Sequence, residues 1–239
     1  KLTPIATICS FALGPNLHLS LREETAMTVA SIPPARQYAN PAPLGLFGFG
    51  MTTILLNLHN AGFFKMNAMI LAMGLCYGGA AQVVAGALEY KKNNTFGMTA
   101  FLSYGFFWLS LVALILLPKI DATLKPDDPA MASYLGMWGL LTLGLFIGTF
   151  RISVALQVVF GTLVILFFML AAGHALHLGE SFEHLTGFEG IFCGASAGYT
   201  GLAHVLNELA AKTILPLGAV KQQPRIFHDL GGDATKVRN

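Results

Sequence analysis

Apolar residues along this chain gather into long blocks separated by short polar breaks, with none of the strict alternation of a half-buried strand. Windows of about 20 mainly apolar residues, the length a helix needs to cross a hydrocarbon core, fall at 43–63, 68–89, 98–118, 132–150, 153–176 and 188–209. The pattern predicts an all-α polytopic membrane protein with six transmembrane helices in one bundle. The breaks between windows are too short for a separate domain. Residues 1–39 read as a mobile N-terminal tail in which 1–26 need not be native, 40–218 as the transmembrane domain and 219–239 as a solvated C-terminal tail.

Composition agrees with the pattern. Of 239 residues, 54% are hydrophobic and 11% charged, with mean hydropathy +0.63, against roughly a quarter charged in soluble domains. Charge also gives a direction. An even number of spans puts both termini on one side. That side collects Lys1, Arg22, Arg36, Lys91, Lys92, Arg151, Lys212, Lys221, Arg225, Lys236 and Arg238, whereas the opposite loops hold Lys65, Lys119 and Lys125. The positive-inside rule then places both termini in the cytoplasm. A formal charge of +2, with no basic cluster outside the tail, leaves no footprint for nucleic acid. Cys9, Cys76 and Cys193 are an odd set, two of them inside spans, so no disulfide framework is expected.

The first span opens with NPAPLGLFGFGMTT, Asn40 to Thr53. Asn40 suits an N-cap and Pro41 the first helical position, because proline lacks the N–H that would be orphaned there. Pro43 removes a second donor, which leaves the N–H groups of Ala42 and Leu44 at a helix end that favours an anion; a plain cap at the membrane surface is the alternative. Glycines at 45, 48 and 50 allow a second backbone close, and related spacings recur at Gly74 and Gly78, Gly144 and Gly148, and Gly194 and Gly198.

Polar side chains inside spans are costly in lipid and tend to face the bundle interior. Thr52, Thr53 and Asn57 lie on the first span, Gln82 and Glu89 on the second, Ser103 and Tyr104 on the third, Gln157 and Thr162 on the fifth, and His204, Asn207 and Glu208 on the sixth. No lysine or arginine stands in mid-membrane. These residues suit either interhelical hydrogen bonds or a path in which hydroxyls, amides and helix ends replace water around a small solute. Glu89, beside Lys91 and Lys92, is open to an interfacial ion pair or to carrying a proton, with His204 and Glu208 as further titratable candidates. His204 and Glu208 at i and i+4 lack a third ligand, so no metal or other cofactor is expected. His174, His177 and His184, with Glu180 and Glu183, form a polar cluster expected as a solvated loop, with pH sensing or metal binding as alternatives. GxxxxGK[ST], nucleophile-elbow and HExxH motifs are absent from the sequence, and the chain is not expected to be an enzyme.

NPAPLGLFGFGMTT, GGAAQVVAGALEYKKNNTFG at 78–97, TAFLSYGFFWL at 99–109, FCGASAGY at 192–199 and LPLG at 215–218 together resemble the acetate uptake transporter family of the YaaH type, over about Asn40 to Gly218. The resemblance implies a six-helix protomer, a homo-hexamer, and a separate path through each protomer for acetate, other short monocarboxylates and succinate. It also implies an apolar constriction at Phe49, Tyr104 and Leu163. Asn93 departs from it, since the family usually has glycine in GNTFG. Thr52, Thr53, Asn57 and Gln82 become candidate polar contacts beyond a carboxylate-binding mouth at Asn40, Ala42 and Leu44. Proton-coupled uptake at an inner membrane is the reading; an anion channel and a membrane sensor that binds acetate without moving it are the alternatives.

Overall fold

The computed structural model describes residues 38–220, and residues 40–220 belong to one compact unit. The expected tails, and Cys9 with them, lie outside the described residues apart from Tyr38, Ala39, Ala219 and Val220. Six long helical segments follow in order: α1 (Ala42–Asn60), α2 (Ala68–Lys91), α3 (Thr95–Ile120), α4 (Asp128–Thr149), α5 (Val154–Leu176) and α6 (Glu180–Ala210). The first five are long and apolar enough to cross a membrane. With 31 residues, α6 spans about 46 Å, more than a bilayer core requires, but its glycines and polar residues keep it less apolar.

Short polar side chains set where most helices begin, as satisfying orphan N–H groups demands. Asn67 accepts from the Met69 N–H at 3.0 Å, Asn94 from Gly97 at 3.1 Å, Asp127 from Ala130 at 2.9 Å and Ser153 from Leu156 at 3.3 Å. α1 starts one residue later than the sequence suggests: Pro41 is the N-cap and Ala42 the first helical residue. Asn40 still assists, because its Oδ1 accepts from the Ala42 N–H at 3.3 Å. That N–H is therefore occupied rather than free for an anion.

α6 begins at Glu180, eight residues before the window drawn from hydropathy. Its first turns are polar, so an apolar window misses them, and Glu180 and Glu183 there suit the positive end of the helix. The expected polar loop shrinks to His177–Gly179, with His177 left-handed at φ 50°. α2 is interrupted by a π-helical stretch at Gly74–Ala81, which the sequence reading did not foresee. Such turns recur at functional sites. Asn93 has φ 56°, a left-handed conformation that glycine adopts freely and asparagine tolerates. The glycine usual in GNTFG thus has a backbone reason, and Asn93 keeps the turn.

Lipid gives apolar side chains no incentive to leave it, so close packing and polar contacts must hold the helices together. α1 lies against α6 and α2: a methyl group at Gly50 would fall 2.6 Å from the Gly194 carbonyl, and one at Gly48 2.6 Å from the Tyr77 carbonyl. α4 packs on α5. An aromatic cluster fills the space between α3, α4 and α5, with Phe107 centred 5.2 Å from Trp138 and 5.1 Å from Phe167. The LPLG segment closes the end nearest the termini. Gly218 and Leu217 carbonyls accept from the Val154 and Ala155 N–H groups at 2.9 and 3.0 Å, and Tyr199 donates to the Pro216 carbonyl at 2.8 Å.

Candidate substrate path

Three chambers follow one another through the unit, and α1 and α5 wall all three. The chamber far from the termini holds about 210 Å³, and its lining includes Phe49, Thr53, Asn57, Trp108, Leu163 and His174. The middle one, about 20 Å³, lies among Leu46, Phe49, Gln82, Tyr104, Phe160 and Leu163. The chamber nearer the termini holds about 290 Å³, with Asn40, Glu89, Lys92, Asn94, Phe160 and His204 in its wall. Phe49 and Leu163 separate the first from the second, and Leu46, Ala100, Phe101 and Phe160 are shared by the second and third. The series is wide, narrow, wide.

The narrow chamber is made by aromatic and aliphatic side chains held rigidly. The Phe49 and Tyr104 rings are 6.0 Å apart, as are those of Tyr104 and Phe160. Tyr104 is fixed by a relay: its hydroxyl donates to Thr142 Oγ1 at 3.0 Å, and Thr142 donates to the Trp138 carbonyl at 2.7 Å. Gln82 is the polar member of this lining besides Tyr104. Its Nε2 donates to the Gly78 carbonyl within the π-helical stretch at 2.7 Å, while its Oε1 is buried without a partner.

Unpaired polar atoms mark the rest of the path. Among the described residues, buried side-chain polar atoms lacking a partner occur on Thr53, Gln82, Glu89, Trp108 and Glu189. The first four line these chambers: Thr53 and Trp108 the first, Gln82 the second and Glu89 the third. A buried polar atom without a partner is costly, so such atoms along a hollow call for an occupant that can hydrogen-bond.

Near the termini the chemistry becomes ionic. Glu89 is 1% exposed; its Oε2 accepts from Asn94 Nδ2 at 2.8 Å, and its Oε1 has no partner. The interfacial ion pair with Lys91 or Lys92 considered from the sequence does not form. Lys92, the residue that caps the end of α2, instead donates to Asn40 Oδ1 at the start of α1, at 3.0 Å. His204 faces the same space.

The candidates thus divide. Phe49, Tyr104 and Leu163 meet around the narrow chamber, Gln82 with them; Thr53 and Asn57 line the far chamber; Asn40, Ala42, Glu89 and His204 line the near one. Leu44 is exposed outward on α1 and Glu208 is exposed on α6. Thr52 is fully buried, but its hydroxyl turns to the Met73 carbonyl at 3.4 Å, where it packs α1 on α2. Sequence reasoning passed over Trp108 and Asn94, and took Lys92 only as a possible ion-pair partner of Glu89. Trp108 could have been found, since it lies four residues from Tyr104 and so shares its face of α3. Asn94 carried only the signal of a polar loop. Cys76 and Cys193 are free thiols, and the described residues contain no cluster of histidine, cysteine and carboxylate able to hold a metal.

An all-helical bundle with spans of membrane length around a chambered interior is a polytopic membrane protein. The chain belongs to the GPR1/FUN34/yaaH family, whose model matches residues 23–220, and this is the kinship already visible in NPAPLGL and its companion stretches. It is 54% identical over 180 residues to the succinate-acetate/proton symporter SatP of Escherichia coli K12, covering 75% of this chain and 95% of that one. Acetate permease A of Emericella nidulans is 30% identical over 245 residues, covering 90% of this chain and 80% of the relative. A solved structure described as the bacterial acetate channel SatP superposes with TM-score 0.74 at 54% identity, covering 76% of this chain and all of that chain.

Proposed function

We propose that the protein moves acetate and other small carboxylates, succinate among them, across the inner membrane of the cell by proton-coupled uptake, along the path within each protomer of a homo-hexamer. The observation that carries this reading is the series of three chambers with unpartnered polar atoms in each. A carboxylate is an acceptor that the Trp108 N–H and the Thr53 hydroxyl of the far chamber can serve, whereas the unpartnered oxygens of Gln82 and Glu89 accept and suit a protonated acid. It must shed most of its water to pass a narrow chamber of about 20 Å³ between Phe49, Tyr104 and Leu163. Small, compact anions lose least in doing so. The names of the relatives support the substrate class, and the excess of lysine and arginine at the end bearing the termini supports a cytoplasmic placement of both termini.

Proton coupling needs a titratable group inside the path. Glu89, buried and with one oxygen unpartnered, is our candidate, with His204 beside it in the chamber. A second reading, an acetate-selective anion channel, is favoured by the narrow chamber itself, which contains no charged side chain to hold a coupling ion.

Uptake of labelled acetate into proteoliposomes, with the pH gradient and the membrane potential imposed separately, tests both. The symport reading expects flux driven by an inward proton gradient at zero potential, above the leak in protein-free vesicles, and expects Glu89→Gln to lose that dependence. Flux that follows potential and ignores the proton gradient makes the protein a channel. No flux above leak makes it a binder of carboxylates.

A further inference from the structure

Beyond the far chamber lies another hollow of about 540 Å³, which shares Leu111, Ile115, Met131 and His174 with it. Its charged lining is Lys119 and Lys125, from the end of α3 and the turn after it, with Asp128 at the start of α4. Asp128 is gripped on both oxygens, from the last turn of α5 and from the residue that caps it. His174 Nδ1 lies 2.9 Å from Oδ1 and His177 Nδ1 lies 3.3 Å from Oδ2. His174 therefore stands in the doorway between this antechamber and the path. Three further carboxylates nearby lie outside this lining: Asp127, which caps the Ala130 N–H at 2.9 Å, Asp121, which accepts from Thr123 at 2.7 Å, and Glu180, 3.7 Å from His184.

We propose that this antechamber is a collecting site for small carboxylate anions whose strength is set by the protonation of His174 and His177. The inference rests on the transport reading above. With both histidines neutral, the two lysines and Asp128 leave a net charge of about +1; with both protonated it is about +3. Histidine as a residue type changes charge between pH 5 and 8. The sign is fixed: the positive form exists at lower pH and is lost as pH rises. Positive potential at a partly enclosed mouth concentrates anions there. A small carboxylic acid with a pKa near 4 to 5 stays mostly anionic above pH 6. Between pH 6 and 8 the solute's charge hardly changes, so a change of affinity over that range reports on the protein. A proton-coupled importer so equipped would also gather substrate best when its outer side is acidic.

The test is equilibrium exchange of labelled acetate in proteoliposomes held at equal pH inside and outside, so that orientation and gradients drop out. For the parent protein, the KM is expected to fall about threefold to tenfold from pH 8 to pH 6, the scale of one or two charges near a hydrated anion. His174→Gln/His177→Gln should flatten that slope, and about 0.5 M salt should flatten it in the parent by screening. Asp128→Asn removes the clamp and a negative charge together. It should lower the KM at pH 8, whereas loss of a merely structural contact would raise it. A double histidine variant that exchanges with the parent's pH slope overturns the inference alone. Absence of exchange by the parent overturns the transport reading and this inference with it.

Discussion

Along the seam between α1 and α6, a methyl group at Gly50 would meet the Gly194 carbonyl at 2.6 Å, and one at Gly190 would overlap the Asn57 side chain. On α4, a methyl group at Gly136 or Gly144 would meet nothing within 4 Å. Both regions are glycine-rich at helical spacing, and from the sequence both promise close packing. The difference shows what glycine is doing in each. At the seam, backbone lies against backbone, and the adjoining face of α1 forms the wall of the proposed path, carrying Phe49 and Thr53, with Asn57 at once against Gly190 and in the far chamber's lining. On α4, Gly136 and Gly144 open on a face with no neighbour in the protomer, whereas Gly139 and Gly148 meet Phe168 and Phe96. A small-residue motif in a membrane helix records an approach only where a partner arrives to use it.

The sharpest way to break the comparison is to thicken the seam. Gly50→Val places branched carbons against main chain that cannot swing away as a side chain would, which puts it at the upper end of the usual overpacking cost, about 3 kcal/mol. The expected outcome is loss of folded, monodisperse protein on size-exclusion chromatography and a strongly lowered thermal midpoint in whatever is recovered. A Gly50→Val protein that unfolds at the parent's temperature would mean that α1 and α6 are not in backbone contact.

The next effect falls on the path wall that the seam supports. Phe49→Ala removes the ring shared by the far and middle chambers while leaving the glycine contacts intact. The protein should insert and fold, and flux of a larger carboxylate such as succinate should rise relative to acetate by about tenfold, the scale on which steric exclusion in a small pocket sets selectivity. Gln82→Ala should instead slow acetate, because it deletes the amide of the narrow chamber. Normal insertion with parental flux and selectivity in both variants would remove these residues from the path.

How far these features could be read from the chain alone follows from their physics. Six spans were legible because lipid demands uninterrupted apolar length, and the polar residues inside them were legible because lipid penalises them. What escaped depended on backbone detail or on distant partners. The π-helical stretch at Gly74–Ala81 lies packed against α3 and α1, with Gly78 against Trp108 and Thr52, and no local periodicity announces it. Glu89 lies next to lysines in sequence, yet Lys92 reaches Asn40 instead, and the left-handed turn at Asn93 brings Asn94 back to the carboxylate. Thr52 and Thr53 are neighbours with opposite duties, because successive helix positions are turned about 100° apart. Phe49, Tyr104 and Leu163 came from the resemblance; their meeting around one narrow chamber required the fold.

The smallest expected effect sharpens the α4 side of the comparison. Gly144→Ala adds a methyl group where none is opposed, so within one protomer it should shift stability by about 0.5 kcal/mol or less, with any gain from helix propensity acting in its favour. Gly144→Leu extends the probe outward. If α4 faces lipid, the leucine is simply one more apolar side chain in hydrocarbon, and both variants should match the parent in thermal midpoint and in assembly size. If α4 meets another copy of the chain in the proposed hexamer, the leucine should shrink the assembly on chromatography in mild detergent while the protomer keeps its thermal midpoint. The open glycine face thus separates a lipid surface from a protein surface through one substitution whose effect on the fold itself is near zero.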